Sequence, residues 1–190
     1  NTGKIYAAKI YRNEISYSSD TQILDLIREV NIISSLNHPA ILKFVGFNQY
    51  NFKEIEKPVI ITEFSLLGSL KKILNNNKCE HILNGTKKLI ILYGIANGMS
   101  YLHNKNIIHR DLKPDNILLD EFLYPRIADF GLSKDISDES KYEKQKSKEL
   151  KREYKAKGTF KYCAPEIFNK NEYTTKSDVY AFGLMAYEII

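Results

Sequence analysis

At 190 residues the chain is long enough for one large domain or two small lobes. With 43% hydrophobic and 27% charged residues it has the composition of a soluble globular protein, and no apolar run approaches the roughly 18–20 residues a membrane span requires. A formal net charge of +5 is accounted for by spare surface lysines or by attraction to phosphate, and two cysteines far apart, Cys79 and Cys163, exclude a disulfide framework and suit a reducing compartment.

The first segment, KIYAAKIYR (4–12), alternates, with Ile5, Ala7 and Lys9 on one face and Tyr6, Ala8 and Ile10 on the other; it reads as a strand. The N-terminus has no long apolar stretch of the signal-peptide kind, so an intracellular, cytoplasmic location is expected. A helix is expected over 18–39, capped by Ser19 or Asp20, with Ile23, Leu26, Ile27, Val30 and Ile33 as its apolar stripe and Pro39 beyond its end. AILKFVGFNQY and EKPVIITEF are two further strands. After Phe64 the pattern turns helical: GSLKKILNN is short, and residues 86–106 form a long helix, apolar at Leu89, Leu92, Ile95, Ala96, Met99 and Leu102. A charged loop follows, then a strand pair (NILLD and PRIAD), a polar stretch with a lysine-rich middle at 141–158, and a last helix in TKSDVYAFGLMAYEII. Strands with one helix come first and helices second, an α+β order with two lobes and a boundary near Glu63–Leu67.

The charged loop lies in IIHRDLKPDNILL (107–119), where His109, Arg110, Asp111, Lys113, Asp115 and Asn116 are held between two apolar runs. Carboxylates and an amide on a loop anchored at both ends suit the handling of a phosphate and its metal, because Mg²⁺ takes hard oxygen ligands and usually keeps few from the protein. A second such group follows in IADFGLS, where Asp129 precedes Phe130 and Gly131, the glycine permitting a sharp turn near a ligand.

HRDLKPDN, DFG and CAPE, in this order, resemble the protein kinase family over essentially the whole chain. The resemblance implies an α+β, two-lobed protein-kinase-like fold that is incomplete, with a partial N-lobe over 1–64 and a partial C-lobe over 65–190. The family's Gly-rich loop and first strands would precede NTGK, and further helices would follow AYEII. On that reading the chain alone is weak or inactive, Glu166 lacks its arginine partner, and Val179, Phe182, Leu184, Met185 and Ile189 expose apolar surface.

Site residues carry over one at a time. Asp111 resembles the catalytic base and Lys113 the lysine that contacts the transferred phosphate; Asn116 and Asp129 resemble the Mg²⁺ ligands. Lys9 resembles the strand lysine on the ATP phosphates and Glu29 its helix partner. Thr62 resembles the residue gating the adenine slot, Glu63, Phe64 and Ser65 the hinge, and Ala7 and Leu118 the apolar faces above and below the ring. His109 is expected to pack in the core, Asp178 to accept from backbone donors of the catalytic loop, and Arg110 to pair with a phosphate on the activation segment. Ser133, Ser137, Ser140, Ser147 and Thr159 are the candidates for that modification. DLKPDN and GTFKYCAPE resemble serine/threonine kinases, and LNHPAILKFVGF with EFSLLGSL the tyrosine-kinase-like branch. The implied cofactors are ATP and Mg²⁺, and the implied partners are a protein substrate and an upstream activating kinase. Two alternatives stand beside this: a non-catalytic kinase-like scaffold, against which HRD, DFG and the strand lysine are intact, and a basic nucleic-acid-binding module, for which the lysine-rich stretch is the only support. No nucleic acid is expected, because no RNA-binding aromatic motif appears.

Overall fold

A computed structural model describes residues 3–11, 20–50, 53, 57–76, 82–137, 159–169 and 173–190. The lysine-rich stretch, Cys79, Ser19, Ser140 and Ser147 lie outside the described residues.

The first strand, β1 (Tyr6–Ile10), pairs antiparallel with β3 (Val59–Glu63), which pairs on its other side with β2 (Phe44–Asn48), giving a sheet of order β1-β3-β2. Central β3 buries Val59, Ile60 and Thr62, whereas Ile5, next to edge strand β1, is 72% exposed. The expected inward face of β1 is thus reduced to Ala7, which is half-buried opposite Thr62. Helix α1 (Asp20–Ser35) starts where the capping residues stood in the sequence. Its buried face is Leu26, Glu29, Ile32 and Ile33, while Ile27 is exposed. The expected stripe is corrected by part of a turn, which places a glutamate inside the apolar face.

The second part starts from β4 (Gly68–Ser69) and the short helix α2 (Leu70–Leu74), whose N-cap Ser69 accepts from the Lys72 N–H. Helix α3 (Gly85–Asn104) is capped by Asn84 and buries Ile91, Ile95, Gly98, Met99 and Leu102. Leu89 and Ala96, expected inside, are exposed, because the seam runs through Ile91 and Gly98 instead. Strand β5 (Ile107–Ile108) pairs with β8 (Lys134–Asp135); β6 (Ile117–Leu119) pairs with β4 and with β7 (Pro125–Ile127). Helix α4 (Pro165–Asn169) and helix α5 (Thr175–Ile189) complete the described elements, α5 opening on a capping box between Thr174 and Ser177.

One contiguous core runs from Ile33 of α1 and Leu36 just after it through Ile95 and Met99 of α3, Ile127 and Phe130, to Ala181, Met185 and Ile189 of α5. Met185 and Ile189 are therefore buried, contrary to expectation: their four-residue spacing from Ala181 puts them on the face packed against the core, and Val179 on the opposite face is 60% exposed. The segment after α1 is tied to β7 by two backbone bonds, Leu42 N to Ile127 O at 2.9 Å and Ile127 N to Ala40 O at 2.8 Å. That seam carries α1 and the first sheet on top of the loops that follow β5 and β7.

Candidate active site

Lys9, from β1, reaches both other parts of the site. Its Nζ lies 2.7 Å from Glu29 Oε1 and 2.9 Å from Asp129 Oδ1. Glu29 is 4% exposed, so the acidic end of the pair is buried in the α1 seam, while the Lys9 side chain, 47% exposed, keeps the ammonium end open to solvent. Burial works against the Lys9 ammonium, but Asp129 and Glu29 outweigh it and hold its pKa above the ordinary lysine value. Burial likewise pushes the Asp129 carboxyl up; the charge and hydrogen bond of Lys9, with His109 and the Gly131 N–H, prevail and hold it below the ordinary value.

The loop between β5 and β6 forms a second cluster. Lys113 Nζ is 2.7 Å from Asp111 Oδ2. Asn116, at the end of a 3-10 turn begun by Pro114, turns its Nδ2 back to Asp111, 2.8 Å from the carbonyl and 2.9 Å from Oδ2. The amide nitrogen is thereby used on Asp111, which leaves the Asn116 carbonyl oxygen as the end that suits a cation. Among the described residues no group of three His, Cys, Asp or Glu could hold a metal ion. The carbonyl of Asn116 with the carboxylate of Asp129 fits Mg²⁺ of the kind that takes most of its shell from phosphate and water.

The loop is held from beneath. Asp178 is 2% exposed and accepts from His109 N at 2.9 Å and Arg110 N at 3.0 Å, with His103 Nε2 at 2.9 Å. His109 is fully buried: its Nε2 is 3.1 Å from the Ala128 carbonyl, its Nδ1 accepts from Asp111 N at 3.3 Å, and its ring meets Phe130 edge-on at 5.4 Å. The histidine therefore links the two clusters structurally. Arg110 and Asp129 both have positive φ, 67° and 62°, a conformation that costs non-glycine residues energy and clusters at functional loops. The Arg110 guanidinium stacks 4.9 Å from the Tyr173 ring centroid. Ser133 is fully buried and donates to the His109 carbonyl at 3.2 Å, which removes it from the accessible candidates for modification. Ser137 is exposed beside Asp135.

The residues expected around the nucleotide base divide. Thr62 and Ser65 are buried, Phe64 is 49% exposed, and Ala7 and Leu118 are half-buried on β1 and β6. The Glu63 N–H donates to the Lys43 carbonyl at 3.0 Å, and its carboxylate accepts from Lys43 N at 3.0 Å. The Ser65 carbonyl accepts from Gly68 N at 3.2 Å, and Leu67 N ties the segment to Leu119 on β6 at 3.2 Å. Glu166 accepts from the Ser177 hydroxyl at 3.2 Å. One site residue that the sequence did not single out is Tyr11, whose hydroxyl donates to Glu29 Oε2. Continuing the two-residue alternation of β1 past Lys9 would have put it on the lysine's side of the strand.

A helix-borne glutamate, a strand lysine and two acidic loops joined by a buried histidine are arranged as a phosphotransferase domain would need them. The comparisons agree: the family model described as protein tyrosine and serine/threonine kinase matches residues 5–190, and the chain belongs to that protein kinase family. It is 38% identical to the human serine/threonine-protein kinase TNNI3K, over 98% of this chain and 21% of that protein. It is 36% identical to the chicken tyrosine-protein kinase SYK, over 97% of this chain and 27% of that protein. It is 33% identical to a probable L-type lectin-domain containing receptor kinase V.3 of Arabidopsis thaliana, over 96% and 26%. The chain thus spans about a quarter of the length of these relatives. Among the described residues no helix is long and apolar enough to cross a membrane.

Proposed function

We propose that this domain transfers the γ-phosphoryl group of ATP to serine or threonine hydroxyls of a protein substrate. The observation that carries the reading is the Lys113 ammonium 2.7 Å from the Asp111 carboxylate, a cation set beside the base where a transferred phosphate needs its charge relieved. Asp111 takes the proton of the attacking hydroxyl as its oxygen bonds to the γ-phosphorus; the bond from that phosphorus to the bridging oxygen breaks, and ADP leaves with the electron pair. Asn116 keeps Asp111 oriented through its Nδ2. Lys9, kept charged by Glu29 and Asp129, neutralises the phosphates that remain on the nucleotide. Mg²⁺ held by Asn116 and Asp129 would supply charge neutralisation across the phosphates. Thr62 closes the back of the base slot, with Glu63, Phe64 and Ser65 along its rim and Ala7 and Leu118 above and below. Serine/threonine preference is supported by Lys113 within DLKPDN and by Thr159 in the substrate-facing segment.

The test uses the full-length protein with Mg·ATP and mixed peptides. Asp129→Asn is expected to reduce turnover by at least two to three orders of magnitude, about 3–4 kcal/mol in barrier, with weakened Mg·ATP binding. Asp111→Asn is expected to slow transfer while sparing nucleotide affinity, because its role is with the hydroxyl. Phosphoamino-acid analysis is expected to show phosphoserine or phosphothreonine. Unchanged turnover in either variant, or phosphotyrosine alone, overturns the corresponding assignment.

A further inference from the structure

Glu29 has two carboxylate oxygens in a nearly water-free place, and Lys9 uses one. A buried carboxylate oxygen left without a donor is costly. The second oxygen, Oε2, has two close neighbours. The Tyr11 hydroxyl donates to it, and a Cβ placed on Gly131 would stand 3.2 Å away, so the loop after Asp129 closes on the other side. Tyr11 itself is fixed by its backbone N–H, which donates to the Pro58 carbonyl at 3.1 Å. Its ring lies under the lysine, with Lys9 Nζ 5.7 Å from the ring centroid, the range in which an ammonium is attracted to an aromatic face. Burial, then Glu29, pushes the phenol well above its ordinary range, so the hydroxyl stays a donor at any working pH.

Tyr11 therefore touches both members of the ion pair, one through its oxygen and one through its ring. We propose that Tyr11 is a positioning residue of the kinase site, anchoring Glu29 through Oε2 so that Oε1 holds the Lys9 ammonium towards Asp129 and the nucleotide phosphates. The inference rests on the phosphotransfer reading above and goes beyond it, since the lysine–glutamate pair there stands on two residues and here on three. Without the hydroxyl, Glu29 loses the contact that fixes its rotation. Lys9 then divides its time between Glu29 and Asp129, and its aim at the phosphates is lost.

Tyr11→Phe in the full-length protein keeps the ring and removes only the donor. Its affinity for a non-hydrolysable Mg·ATP analogue, measured calorimetrically, is expected to fall about ten- to a hundredfold, the weight of one hydrogen bond to a charged group. KM for ATP should rise in parallel while KM for the peptide substrate stays unchanged. A tyrosine that merely fills space would lower the active fraction and hence kcat, with both KM values untouched. In a Lys9→Met background, where no ammonium remains to be aimed, Tyr11→Phe should cause no further loss of nucleotide affinity. Unchanged analogue affinity in Tyr11→Phe, or a full additional loss in the Lys9→Met background, overturns the proposal. Failure of the phosphotransfer reading looks different: wild type then shows no Mg·ATP-dependent transfer and Lys9→Met leaves analogue binding unaltered, and the role of Tyr11 falls with it.

Discussion

The Asp178 carboxylate shows how much of the site depends on a residue buried beneath it. It takes the backbone N–H groups of His109 and Arg110 and faces His103, so one side chain of α5 sets the path of the chain into Asp111. Arg110 needs that support, since its φ of 67° is one that the backbone alone disfavours. Asp178→Ala would leave two buried donors without an acceptor, each worth about 1–3 kcal/mol, so a loss of about 2–6 kcal/mol is expected in urea denaturation. Asp178→Asn keeps a single carbonyl oxygen and turns an amide nitrogen towards a donor; its loss should lie between wild type and alanine. Equal stability of the alanine variant and wild type would mean that the loop finds its donors' partners elsewhere. At this scale the sequence was most legible where chemistry restricts residue type. Asp111, Lys113 and Asn116 are bonded to one another, Asp129 meets Lys9, and His109 is buried. It was least legible where a common residue acquires a partner only through folding, as with Tyr11 on Glu29 and the buried Ser133.

Elements were readable by kind and less so by face. Both α1 and α3 occur where periodicity put them; α1 buries Leu26 and Ile33 of the expected stripe but exposes Ile27, and α3 buries Ile95, Met99 and Leu102 but exposes Leu89 and Ala96. Sequence periodicity weighs every apolar residue alike, whereas the fold must admit Glu29 on α1 and a bare backbone on α3. The α3 case has a measurable consequence. At Gly98 an added Cβ would come within 2.7 Å of Ile127 Cδ1 and 3.1 Å of Ala40 Cβ, and at Gly94 within 2.5 Å of the Pro125 ring. These glycines let α3 lie directly against β7 and the segment after α1, the seam that carries the first sheet. Alanine would gain roughly 1 kcal/mol of helix propensity at each position. The overpacking cost of about 1–3 kcal/mol opposes it, and the rigid proline ring at Gly94 cannot swing aside as the tip of Ile127 can. Gly94→Ala is expected to lower the melting midpoint and Gly98→Ala to do so less. A rise in midpoint for Gly94→Ala would show that α3 shifts away from β7 at little cost.

For the whole molecule, the titratable groups set a pH range of stability whose two edges have separate causes. On the acid side, Asp129 is held below its ordinary 3.8 and Glu188 below its ordinary 4.5. For Glu188, burial acts upward, and the hydrogen bonds and charge from Lys161 and Tyr162 outweigh it. A carboxylate depressed in the folded state binds its proton more readily in the unfolded chain. Its contribution is therefore complete above the ordinary value and is lost as pH falls through the folded one. On the alkaline side the sign reverses. Burial, with Glu166 and Asp111 adding to it, pushes the Cys163 thiol from 9.0 to about 11. Tyr11, Tyr162 and Tyr173 are raised above 10.0, chiefly by burial, and Lys9 above 10.5. The unfolded chain releases these protons first, so stability is complete below about pH 9 and declines as pH rises beyond it. Melting midpoints measured from pH 3 to 11 should accordingly be level between about pH 7 and 9 and fall on both sides, the acid decline beginning with His38, which burial holds below its ordinary 6.5. Glu188→Gln should reduce the acid slope, because that group no longer titrates, and leave the alkaline edge in place. Cys163→Ser, which has no thiol to ionise, should make the alkaline decline begin nearer pH 10 and leave the acid edge unmoved. An alkaline edge that does not respond to Cys163→Ser would mean that the thiol ionises in the folded protein as readily as in the unfolded chain, and that burial beside Glu166 and Asp111 is not what holds its proton.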